Sequence, residues 1–138
     1  ATKARKAYYN LTKAMGEGIV KSCHDLSEGG LAVAAAEMAF AGGYGLELDL
    51  QKVPGKDLTR SDFVLFSESN SRFLIEIAKK DKATFEGIMK KNCTLIGRVT
   101  EEQKILIFGL NGKVVVDAPL EKLRRSWKMT FSPEEVSQ

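Results

Sequence analysis

"CHDLSEGGLAVAAAEMAFAGG", residues 23–43, passes from a polar turn into a long apolar run. A His-Asp pair, a Ser, an acid and two glycines come first, only Glu37 interrupts the run, and Gly42-Gly43 closes it. The run predicts a helix over 29–41, apolar nearly all round and therefore buried on more than one side. "IVKSCH" (19–24) before it reads as a short strand. The unit is strand, turn, helix, and the turn has two readings. Glycines let a phosphate approach the unpaired N–H groups at a helix start, where the helix dipole favours an anion. Ser27 can cap the helix, and Asp25 at the strand end could hold Mg²⁺ or position a polar substrate group. In the other reading Asp25 and Ser27 satisfy the turn backbone, and Gly29 and Gly30 only pack.

Outward from this unit, Ala4, Ala7, Tyr8, Leu11 and Met15 recur at helical spacing over 2–16, with Gly16 and Gly18 as the stop. "LELDL" (46–50) alternates as a half-buried strand, and Pro54-Gly55 marks a loop. Two β-rich runs, 63–67 and 72–78, flank the polar turn "ESNS". Phe73, Ile75 and Ile77 share one face of the second. A helix over about 81–91 turns Phe85, Ile88 and Met89 inward, with Asn92 as a left-handed cap. "CTLIGRV" (93–99) is a further strand. "KILIFGLNGKVVVD" reads as a hairpin with a type I′ turn at Asn111-Gly112. Pro119 opens a last helix with Leu120, Leu123 and Trp127 inward. The sum is an α+β fold, a mixed β-sheet with helices packed on it. One domain is expected over 1–128, with 129–138 a loose tail.

The chain has 138 residues, 43% hydrophobic and 28% charged, enough for a core in a soluble globular domain. A net charge of +3, with basic pairs scattered, argues against a nucleic-acid partner. No apolar run approaches the ~20 residues of a membrane span. The first residues lack the apolar core of a signal peptide, so a cytoplasmic setting is expected. Two cysteines, Cys23 and Cys93, make neither a disulfide framework nor a zinc site.

A second candidate is "SESNSR", 67–72: Glu68, Ser69, Ser71 and Arg72 offer an acid, two hydroxyls and a guanidinium suited to phosphate or carboxylate. It reads equally as a polar loop with a surface Arg–Glu pair. His24 is the single histidine, and a lone strand histidine reads as a structural residue. Trp127 and Tyr8-Tyr9 read as core or interface residues.

The 23–43 stretch closely resembles the "HD-[VL]-S-[DE]-GG-L-A-V-A-x-A-E-M" segment of the phosphoribosylformylglycinamidine synthase family, the large synthetase subunit. "LFSESNSRFLIEI" resembles a second signature of that family, and "IGRVT", a hairpin and "PLEKLRRSW" resemble its end. The likeness runs from about Ala4 to Trp127. It places the chain in the aminoimidazole ribonucleotide synthetase C-terminal-domain superfamily, with selenophosphate synthetase, thiamine-phosphate kinase and a hydrogenase maturation protein. The fold it implies is that C-terminal domain, partly ferredoxin-like, in the second of the synthase's two copies.

The resemblance implies an ATP-dependent ligase that converts formylglycinamide ribonucleotide to its amidine with glutamine-derived ammonia. ATP and Mg²⁺ would serve the whole enzyme, and this chain, an expected fragment without the amino-terminal-type domain, would be inactive alone and hold neither firmly. A glutamine amidotransferase subunit and a small accessory subunit would be partners of the whole. By pseudo-symmetry Asp25, Ser27, Gly29, Gly30, Glu68, Ser69, Ser71 and Arg72 would contact a phosphate or nucleotide; no catalytic residue is assigned, and Asp25 alone is a candidate metal ligand. A purely structural module, or the equivalent domain of a related synthetase or kinase, is the alternative. Surface left open by missing domains, bordered by helix 29–41 or the 63–77 runs, would favour a homodimer of the fragment.

Overall fold

The computed structural model describes residues 2–129. The elements are α1 (Thr2–Gly16), β1 (Val20–Asp25), α2 (Gly30–Gly42), β2 (Gly45–Asp49), α3 (Ser61–Phe66), β3 (Phe73–Ile77), α4 (Lys82–Met89), β4 (Gly97–Thr100), β5 (Lys104–Phe108), β6 (Val114–Pro119) and α5 (Leu120–Met129). The class is α+β, as expected, and the strands form two sheets, β1-β3 and β4-β2-β5-β6. Two compact units divide the chain: residues up to Ala34 with Leu65–Leu95, and Ala35–Val64 with residues from Ile96 onward. The tail expected over 129–138 lies outside the described residues, apart from Met129 at the end of α5.

In the first unit β1 and β3 pair antiparallel, from Val20↔Ile77 to Asp25↔Phe73. Their apolar face meets α1 and α4. Leu11, Ala14, Ile19, Phe85 and Met89 form the buried cluster, and Val20, Cys23, Phe73, Ile75, Ile77 and Ile88 pack on it. The shared face of Phe73, Ile75 and Ile77 follows from the two-residue period of a strand. On α1 the buried stripe runs through Ala14, while Met15 is exposed, one position off the expected stripe. Gly18, at φ +71, ends α1; its N–H reaches the Met15 carbonyl, and Ile19 N–H returns to Ala14. At the end of α4 the positive-φ residue is Lys90, at φ 56 and ψ −127, and Asn92 does not have positive φ.

In the second unit β2 runs parallel to β5, and the other neighbours are antiparallel. Leu46, Leu48, Ile105 and Ile107 are buried on the central pair. The expected β5–β6 hairpin is present with a different turn. Gly112 N–H reaches the Gly109 carbonyl at 2.9 Å, and only Gly112, not Asn111, has positive φ. The Asn111 side chain instead accepts the Lys113 N–H. This is a three-residue loop with a left-handed glycine at its end, not a type I′ turn, and Asn111 acts through its side-chain oxygen. β4 begins at Gly97, later than the expected strand, and Trp127 packs against Phe40 at 5.6 Å while staying half exposed.

The run expected as a strand over 63–67 is a helix, α3. Asp62 stands in its first turn and accepts the Phe63 N–H, while Arg60 grips Asp62 and lies 4.4 Å from the Phe63 ring centre. Val64 and Leu65 are buried while Phe63 and Phe66 are exposed, a pairing three apart that suits a helix and breaks strand alternation. None of residues 30–40 of α2 is exposed, so of the two expected borders of open apolar surface only the 63–66 segment carries large exposed side chains.

Candidate functional site

Both candidate motifs lie in the first unit and close on one another. β1 delivers Asp25 to the mouth of the turn, and β3 starts opposite it at Phe73. One step outward, Leu26 N–H donates to the Arg72 carbonyl at 3.1 Å. Gly29 and Gly30 follow, at φ +70 and +66. A Cβ on Gly30 would sit 2.7 Å from the Leu65 carbonyl oxygen, 2.8 Å from the Phe66 carbonyl carbon and 2.9 Å from the Ser67 carbonyl oxygen. Only a residue without Cβ fits there. A Cβ on Gly29 would overlap the Val33 side chain.

The Gly29 N–H is already engaged, donating to Glu68 Oε1 at 2.9 Å. The glycines are closely packed, and Glu68 places a carboxylate oxygen at the helix start where the residue types alone also allowed a phosphate. Arg72 is half-buried, and its Nη1 donates to Ser69 Oγ at 3.4 Å. Ser71 is exposed with φ 67, left-handed backbone that a non-glycine residue rarely adopts. Glu68 and Ser27 are exposed. Among the described residues no group of three His, Cys, Asp or Glu side chains is placed to hold a metal ion.

Asp25 is exposed, and a hydrogen bond from Ser27 chiefly holds its carboxyl below the ordinary value of 3.8. His24 adds a smaller favourable charge, with Nδ1 3.6 Å from Asp25 Oδ1. The same nitrogen lies 2.6 Å from the Asp25 carbonyl oxygen, so it carries the proton in that bond. A group depressed in the folded state stabilises the fold above its unfolded value, and that contribution is lost as pH falls through the folded value. Ser27→Ala is therefore expected to move the Asp25 midpoint upward in a carboxyl NMR titration. An unmoved midpoint would mean that Ser27 does not set it. Burial pushes the Cys23 and Cys93 thiols up, which disfavours their reactive thiolate forms.

The sequence matches the family described as "AIR synthase related protein, C-terminal domain" over residues 1–108. The chain belongs to this family. It is 40% identical over 114 residues to phosphoribosylformylglycinamidine synthase subunit PurL of Thermococcus sibiricus, covering 83% of this chain and 16% of that protein. It is 41% identical over 120 residues to the same subunit of Lactobacillus helveticus, covering 86% and 15%. The chain thus spans about one-sixth of the length of these relatives. "T. maritima PurL complexed with FGAR" shares the fold at a TM-score of 0.77 and 22% identity, over 87% of this chain and 20% of that one. The E. coli hydrogenase maturation protein HypE shares it at 0.65 and 22%, over 80% and 38%. Membership of the AIR synthase related family and the fold expected from the resemblance both hold.

Sequence reasoning missed the backbone of Leu65–Ser67 as the wall behind Gly30. The paired glycines were the available signal, because two successive positive φ values at a helix start mark a close approach.

Proposed function

We propose that the chain is a domain of the ATP-dependent ligase that converts formylglycinamide ribonucleotide to formylglycinamidine ribonucleotide in purine biosynthesis. The observation that carries this is the match to the PurL subunits at 40% and 41% identity across most of the chain. Solved relatives described as PurL complexed with FGAR, with ATP and with ADP support ligands of that chemistry for the whole enzyme. A structure described as PurLQS supports partner subunits, here taken as the glutamine amidotransferase and a small accessory chain.

In this reading the chain is a single functional domain corresponding to the second copy. It is inactive alone and works in the cytoplasm. ATP and Mg²⁺ are held chiefly by parts of the longer polypeptide. Asp25, Ser27, Ser69, Ser71 and Arg72 border a phosphate or nucleotide pocket, with Arg72 offering a fork of donors to phosphate. Exposed Phe63 and Phe66 favour burial against other domains, or against a second copy when the fragment is isolated.

The test is an amidine-forming assay with ATP, ammonia and formylglycinamide ribonucleotide. The chain alone is expected to show no turnover, and a longer PurL chain lacking this segment is expected to regain turnover when the chain is added. Turnover by the chain alone, or no gain on addition, would overturn the reading.

A second reading is a purely structural module, favoured by the engaged Gly29 N–H and the packed Gly30. Titration with ADP and with inorganic phosphate separates the two. Movement of the Asp25, Ser27 and Arg72 NMR signals supports the pocket, and unmoved signals support the module.

A further inference from the structure

We propose that Glu68 is a positioning residue that latches the Gly-rich turn to the 67–72 loop, and does not itself touch a ligand. Its carboxylate accepts the Gly29 N–H at 2.9 Å, across 39 residues of sequence. Gly29 precedes α2 directly, where backbone N–H groups have no partner within the helix. A carboxylate is favoured at that end of a helix dipole. The same two segments meet at two further points, Leu26 N–H on the Arg72 carbonyl and Gly30 against the Leu65–Ser67 carbonyls. Those two contacts set the separation of the segments. They do not set the orientation of the Gly29 peptide, whose left-handed φ glycine adopts as readily as its mirror image. Of the three contacts, the Glu68 bond is the one that fixes that peptide.

Neighbouring groups then divide by role. Ser69 and Arg72 point to each other, and Asp25 and Ser27 do the same, so both pairs leave Glu68 to the turn. The assignment deepens the pocket reading by separating the groups that face a ligand from the group that holds the turn. It depends on that reading only for the ligand arm of the test.

The experiment uses the 138-residue chain with Glu68→Ala and Glu68→Gln, followed by amide hydrogen exchange and by titration with ADP. Glu68→Ala is expected to speed Gly29 exchange about tenfold to a hundredfold, as loss of a charge-assisted bond requires. Glu68→Gln should restore most of the protection, since its amide oxygen still accepts. Unchanged Gly29 exchange in Glu68→Ala would overturn the latch. So would a normal Gly29 signal combined with loss of an ADP response present in the parent chain, because Glu68 would then be a ligand contact. If ADP moves no signal in the parent chain, the pocket reading fails while the exchange result still decides the latch.

Discussion

Gly30→Ala is expected to destabilise the protein by roughly 2–5 kcal/mol, read as a lower urea midpoint at unchanged slope. Two costs add. A left-handed backbone costs an L-residue about 1–2 kcal/mol, and Gly30 stands at φ +66. The added Cβ also meets backbone atoms of Leu65, Phe66 and Ser67 at 2.7–2.9 Å. A side chain in that place could rotate aside, but carbonyl groups fixed in the last turn of α3 and the bend after it cannot. The turn must then separate from the 65–67 segment, which also strains the Leu26–Arg72 bond beside it. Gly18→Ala is the control. Gly18 has a similar φ of +71 and nothing within 4 Å of its Cβ position, so only the backbone cost of about 1–2 kcal/mol applies. Equal losses for the two substitutions would show that the close approach at Gly30 carries no energy.

The same contact explains which parts of the site the sequence could disclose. The helix over 29–41 was legible because a long apolar run between glycine pairs has few other solutions. The β5–β6 hairpin was legible from Asn111-Gly112, although the turn type was not, since Asn111 serves through its side chain rather than through positive φ. The 63–67 run, "FVLFS", is a helix where a strand is expected, because a short apolar run fits strand and helix equally. What decides it is the Ser61-Asp62 start and the burial of Val64 and Leu65 between exposed Phe63 and Phe66.

The meeting of Gly29 with Glu68 is non-local, and no periodicity predicts it. Family resemblance put both motifs in one site and implied ligand contacts for Glu68 and the glycines. The structure shows the glycine pair closely packed and the Glu68 oxygen on the Gly29 N–H. In the proposed pocket, Asp25, Ser27, Ser69, Ser71 and Arg72 are then the side chains to meet a phosphate.

Ile107→Ala is the second large effect, expected at roughly 2–5 kcal/mol by urea unfolding. Ile107 is 1% exposed in β5, flanked in register by Leu48 of β2 and Val116 of β6. Removing most of its side chain loses transfer energy and leaves a cavity that the sheet cannot close. Ile107→Val, one methylene smaller, should cost only about 0.5–1.5 kcal/mol. Val115→Ala, at a position 43% exposed on β6, should stay within about 0.5 kcal/mol. The ranking follows from how the sheet is specified. β2 and β5 run parallel and are far apart in sequence, so no turn between them sets their register. Alternation does so: Leu46, Leu48, Ile105 and Ile107 all point inward, and a one-residue slip would turn them all to the other face. An Ile107→Ala loss below about 1 kcal/mol, or one no larger than that of Ile107→Val, would show that Ile107 does not contribute the core packing that its burial implies.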